Sequence, residues 1–157
     1  MISFDLPFIG EESIEEKARK LTVQDVANYL SSIKMDKYIA AFGEFEISGD
    51  VLLAMKSSDL SELGIDSALD KVKILVGFRQ HLEGGTVKFS TSKLVVALQQ
   101  SNLGKYRKLF EQHRVDGDML LYEDEELVRS MLKEIGIDKN ITITRIMSKF
   151  KTFASIR

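Results

Sequence analysis

The side chains able to do chemistry are few, and their spacing argues against catalysis. Cysteine is absent, which excludes disulfide frameworks, thiolate metal sites and a cysteine nucleophile. The two histidines, His81 and His113, stand far apart at expected helix ends, where a surface histidine needs no special role. No glycine-rich phosphate loop is present, and no His/Asp pair stands at ligand spacing. The run Glu123-Asp124-Glu125-Glu126 gathers carboxylates but lacks the Asp-x-Asp-x-Asp-Gly spacing of a calcium loop. The favourable placement of acids at a helix N-terminus explains it adequately. No enzymatic activity, metal or cofactor is expected. What remains is charge, and it is unevenly spread. Residues 21–85 carry 6 basic and 10 acidic side chains, a net of −4, while residues 86–157 carry 13 and 9, a net of +4. Solvated surfaces that simply differ are the plain explanation. The sharper one is that opposite-signed halves are suited to meet, within or between molecules.

Those charges sit on a repeated frame. Ile47-Ser48-Gly49-Asp50-Val51-Leu52-Leu53 is nearly duplicated by Val115-Asp116-Gly117-Asp118-Met119-Leu120-Leu121, at an offset of 68 residues. Backwards the match continues through Phe42/Phe110, Tyr38/Tyr106, Met35/Leu103 and Leu30/Leu98. Forwards it resumes at an offset of 72, where Leu60-Ser61-Glu62-Leu63-Gly64-Ile65-Asp66 matches Leu132-Lys133-Glu134-Ile135-Gly136-Ile137-Asp138. Ile74/Ile146 and Phe78/Phe150 follow. One unit therefore occurs twice, each copy near the lower size limit for an independent core.

Both units are predicted to be helical throughout. Thr22 and Asp25 form an N-terminal cap, and Val23, Val26, Ala27, Leu30 and Ile33 follow at helical spacing. A second helix from about Asp36 carries Tyr38, Ile39, Phe42 and Phe45 on its apolar side. Gly49 is expected either to take positive φ or to let two backbones approach closely. Asp50 is expected to accept from N–H groups at a helix start. A short turn over Val51–Leu53 and a fourth helix over Ser57–Leu63 precede a long last helix from about Leu69 to Leu82. In the second copy Ser90-Thr91-Ser92 offers the cap, the fourth helix is lengthened by four residues, and the last runs from about Asn140 to Phe153. Ile141-Thr142-Ile143-Thr144 has strand propensity, but the repeat places it in a helix. The expected organisation is a leader with a short helix at 1–20, a first unit at 21–83, a linker at 84–90 and a second unit at 91–157. Phe4, Leu6, Phe8 and Ile9 flank the only proline, Pro7, and suit either docking or a flexible leader. No apolar run approaches the roughly 20 residues that cross a bilayer. Asp5, Glu11 and Glu12 replace the basic flank of a signal peptide, so a cytoplasmic location is expected and no membrane association.

Five short helices, an aliphatic-x-Gly-Asp-x-Leu-Leu turn, and Leu-x-Glu-Leu/Ile-Gly-Ile before a long last helix resemble the sterile alpha motif (SAM) domain, in both units. Tyr38 and Tyr106 match the family's helix-two tyrosine. The usual tryptophan of helix one is missing from both copies, and Tyr29 and Ala97 stand near its place. The second unit, with its acidic Glu123–Glu126 run and Phe150-Lys151-Thr152-Phe153-Ala154, looks more narrowly like the SAM region of SARM-type SAM–TIR proteins. That narrower resemblance implies assembly into a ring, usually an octamer, that clusters a fused TIR domain consuming NAD.

The SAM resemblance implies an all-α fold of two tandem five-helix bundles joined by a short linker. It also implies self-association through two unlike surfaces, a mid-loop face and an end-helix face; such heterologous contacts give rings or open helices. The mid-loop candidates are Glu44, Glu46, Asp50, Asp59 and Glu62 in the first unit, and Asp116, Asp118, Glu123, Asp124 and Glu126 in the second. The end-helix candidates are Asp66, Leu69, Lys71 and Lys73, and then Lys139, Asn140, Ile141 and Arg145. Leu69 and Ile141 could act as apolar knobs, or could simply pack in the core. Any one of the charged residues could be no more than a solvated side chain contributing under about 1 kcal/mol. The implied partners are further copies of the chain and other SAM-domain proteins. RNA hairpins are the rival, since Lys139, Arg145 and Lys149 are basic, but no aromatic stacking platform accompanies them.

Overall fold

The computed structural model describes residues 12–156, which form α-helices joined by turns with no strand among them. The all-α expectation holds, and Ile141–Thr144 is helical as the repeat requires. The first unit contains α1 (Ile14–Arg19), α2 (Val23–Ser32), α3 (Ile39–Glu44), α4 (Gly49–Ala54), α5 (Ser57–Glu62) and α6 (Ala68–Leu82). The second contains α7 (Thr91–Gln100), α8 (Arg107–Gln112), α9 (Gly117–Leu120), α10 (Glu125–Glu134) and α11 (Asn140–Ile156). A 3-10 turn precedes α3 at Asp36–Tyr38 and α8 at Gly104–Tyr106, so the second expected helix of each unit starts tightly wound. Phe4, Leu6, Phe8 and Ile9 lie outside the described residues.

The capping signals operate as read. The Thr22 hydroxyl accepts from Asp25 N–H at 3.1 Å, and the Asp25 carboxylate accepts from Thr22 N–H at 2.8 Å. Helix α5 ends at Gly64 with φ +89°, and the matching Gly136 after α10 has φ +121°, a region that β-carbons disfavour. The glycine of the repeated turn serves the other purpose foreseen for it. A β-carbon on Gly49 would lie 2.4 Å from the Ala18 carbonyl oxygen, and one on Gly117 would lie 2.4 Å from the Phe150 ring. That close approach lets Gly49 N–H reach Leu21 O at 2.9 Å and Gly117 N–H reach Phe89 O at 2.6 Å. The same hydrogen bond thus clamps the entry of helix one to the central turn in both copies.

Helix α1 was expected only as a short leader helix, and its docking was not legible. It packs against α4 and α6, burying Ala18 completely in the first core. Ser13 and Glu16 cap it reciprocally, and Lys17 Nζ donates to Leu82 O at 3.1 Å.

Helix α6 departs most from expectation. Its residues Ile74, Phe78 and Leu82 fill the first core beside Tyr29, Leu30 and Phe42. Ala68, Val72 and Val76 instead join the second core, with Leu94, Phe110, Met131 and Phe150. Each set advances by four residues, so each is a stripe along the helix, and the two stripes face different units. Val72 and Val76, although they lie on the last helix of the first unit, therefore belong to the contact between units. That contact, more than the short linker, orients the halves.

Candidate interaction surfaces

Helix α6 packs against α10. At its N-terminal end the Glu134 carboxylate accepts from Leu69 N–H at 3.2 Å and from the Ser67 hydroxyl. Farther along, Gln80 Nε2 donates to Asp116 Oδ2 at 3.2 Å and to Asp118 Oδ2 at 3.0 Å. Among the described residues no ion pair crosses this seam. The opposite net charges of the two halves do not meet there; apolar packing and polar hydrogen bonds make the contact.

The seam changes the status of several candidate residues. Leu69, a proposed knob, is half-buried against the second core. Lys71 is buried, and its ammonium donates to the Ser61 hydroxyl. Lys73 is half-buried, and burial followed by the nearby Arg114 pushes its pKa down, against the opposing pull of Asp70 and Asp116. Of the first end-helix set only Asp66 remains exposed. The expectation of a free first end-helix face is therefore corrected: apolar residues of α6 needed a cover, and α10 supplies it.

The two motif aspartates have separate roles. Asp118 accepts from Lys88 N–H at 3.0 Å and Phe89 N–H at 2.8 Å, because the linker offers those amides no other partner. In the first unit the equivalent amides, Lys20 and Leu21, already donate to carbonyls of α1. Asp50 is consequently exposed, accepting from the Ser48 hydroxyl and Val51 N–H. Asp116 caps α9 through Met119 N–H at 3.0 Å. Burial raises its pKa, opposed by its hydrogen bonds from Gln80 and Met119. Asp124 caps α10 through Leu127 N–H, and Glu123 and Glu126 stay exposed. Asp116 and Asp118, candidates for the second mid-loop face, are half-buried and satisfy the protein's own donors instead.

Two faces remain open, on opposite units. The first carries Glu44, Glu46, Asp50, Asp59 and Glu62, all exposed. Two of them, Asp59 and Glu62, stand on the walls of a cleft of about 360 Å³ lined also by Phe45, Ile47, Val51, Met55 and Leu63. Phe45 was read as core but is 59% exposed, because α3 ends at Glu44 and the chain turns there through Glu46 at φ +51°. The second open face is the start of α11. Ile141 is 71% exposed, and Lys139, Asn140 and Arg145 around it are exposed too. Of the two proposed knobs, Ile141 is thus the one standing free.

Glu134 and Gln80, which tie the seam, were missed. Glu134 repeats Glu62, and nothing local distinguishes the sealed copy from the open one. The departure at the missing tryptophan is resolved by Tyr29, buried and donating its hydroxyl to Ile74 O at 2.8 Å. Among the described residues no helix is long and apolar enough to cross a membrane.

Comparison with known proteins agrees with this architecture. Family models of the SAM domain (sterile alpha motif) match residues 19–80 and residues 98–153. Liprin-beta-1 of Mus musculus is 30% identical over 138 residues, covering 81% of this chain, and that of Homo sapiens matches equally. The chain spans only 14% of the length of these relatives. No solved structure matches it. The relatives found are liprins, so the narrower SARM-type resemblance gains no support from them. The chain belongs to the SAM family and carries two of its domains in tandem, modules of protein–protein interaction.

Proposed function

We propose that the tandem is a scaffold that binds further copies of itself head to tail, the first unit's acidic cleft receiving the second unit's basic end helix. One observation carries this reading: the first end helix and the second unit's turn aspartates are engaged in the seam, while an apolar cleft with carboxylates on its walls and an apolar knob flanked by cations stay open on opposite units. Ile141 entering the cleft would contribute on the order of 1.5–3 kcal/mol, more than any single exposed ion pair. Lys139 and Arg145 against Asp59 and Glu62 would set orientation and make assembly weaken with salt. The proposed setting is cytoplasmic, and other SAM-domain proteins presenting the same faces are further candidate partners. Extended along the SARM-type motifs, the proposal includes closure into a ring that clusters a fused effector such as a TIR domain.

Light scattering across protein and salt concentration tests it. The chain is expected to form assemblies that shrink as salt rises. Phe45→Glu and Ile141→Asp are each expected to be monomeric, yet to form a one-to-one complex when mixed, since each retains the face the other has lost. A chain that stays monomeric at high concentration and low salt would sink the proposal. So would variants that assemble like the parent.

A further inference from the structure

We propose that the cleft at the seam between the two units binds a small phosphate-bearing ligand, gripped by Lys34 and Lys73 of the first unit and Arg114 of the second. The cleft is about 230 Å³ and is lined in addition by Gln80 and Asp116. Its three cations come from three separate elements. Lys34 follows α2, Arg114 follows α8, and both stand in left-handed turns, at φ +61° and +54°. Lys73, on α6, lines the same cleft. Among the described residues none of the three makes an ion pair. Lys73 is half-buried, where burial and the like charge of Arg114 disfavour its ammonium form, against the pull of Asp70 and Asp116. An anion seated in the cleft would relieve both.

The one carboxylate in the cleft is Asp116, and it is already occupied. Its oxygens accept from Gln80 and Met119 N–H, and the three cations of the lining exceed this one carboxylate by two charges. The volume selects a small ligand, since clefts for drug-sized molecules run from about 300 to 1,000 Å³. Cationic donors on three separate elements suit the tetrahedral array of phosphate oxygens better than a planar carboxylate. The Arg114 guanidinium can give two of them parallel hydrogen bonds. Because the grip spans both units, an occupied cleft would also tie the two halves together.

Calorimetric titration of the full chain with sodium diphosphate, at constant ionic strength, tests this. One saturable site per chain is expected, with a thermal midpoint that climbs as the ligand is added. Arg114→Gln and Lys34→Gln should each weaken binding at least tenfold. Both side chains are exposed, and circular dichroism should show the fold unchanged. Lys105→Gln removes an exposed cation of the second unit outside the cleft and should bind like the parent. Absence of a saturable site overturns the proposal. So does unaltered binding in Arg114→Gln, or an equal loss in Lys105→Gln, which would mean diffuse attraction to a basic surface.

Discussion

The aspartates of the repeated turn show how one residue type acquires two jobs from its surroundings. Asp118 supplies acceptors to two backbone amides that would otherwise be left without partners, and such bonds to a charged group are each about 1.5–3 kcal/mol. Asp118→Ala is therefore expected to lower stability by about 2–4 kcal/mol in chemical denaturation, allowing for water reaching the linker. Asp50→Ala removes only an exposed local contact and should stay within about 0.5 kcal/mol of the parent. Equal losses at the two positions would refute this division. The signal separating them lies thirty residues away, in whether a helix or a linker precedes the unit. No window around the motif contains it.

Among the elements, α2 and α6 meet in a close fit around a glycine. A β-carbon on Gly77 would stand 2.6 Å from the Tyr29 hydroxyl oxygen, so glycine there makes room for the hydroxyl that bonds Ile74 O. Gly77→Ala should cost about 1–3 kcal/mol through overcrowding. Tyr29→Phe alone loses a buried hydrogen bond, but combined with Gly77→Ala it removes the clash, so the double variant should be more stable than the sum of the two losses. Additive losses in a double-mutant cycle would count against this fit. Much of each helix was legible: caps at Thr22 and Ser90, stops at Gly64 and Gly136, and the periodicity of Leu30, Phe42, Leu98 and Phe110 all carry local causes. What a helix faces was less legible. Val72 and Val76 are apolar in the same way as Ile74 and Phe78, and composition cannot say which of two cores an aliphatic side chain enters. Phe45 was misread for the complementary reason, because a helix that ends one residue early turns a core phenylalanine outward. The candidate site suffered most, since a charged residue on a sealed face and one on an open face read alike.

At the scale of the molecule, two repeated modules have become unequal by packing on each other. The contact covers one end helix and two of the central-turn aspartates, and leaves one receptive and one projecting face. In the head-to-tail assembly proposed above, each tandem would add as a single link with two distinct ends, which is simpler than four competing faces would allow. Helix α6 also means that the halves are held together by side chains as well as by peptide bonds. Severing the chain at Gly84-Gly85, both exposed and in left-handed conformation, should therefore yield two fragments that elute together from a gel-filtration column. Val72→Asp in the nicked protein should release them. A first fragment made alone would carry Ala68, Val72 and Val76 naked to water, and would need a cover from elsewhere to stay in solution.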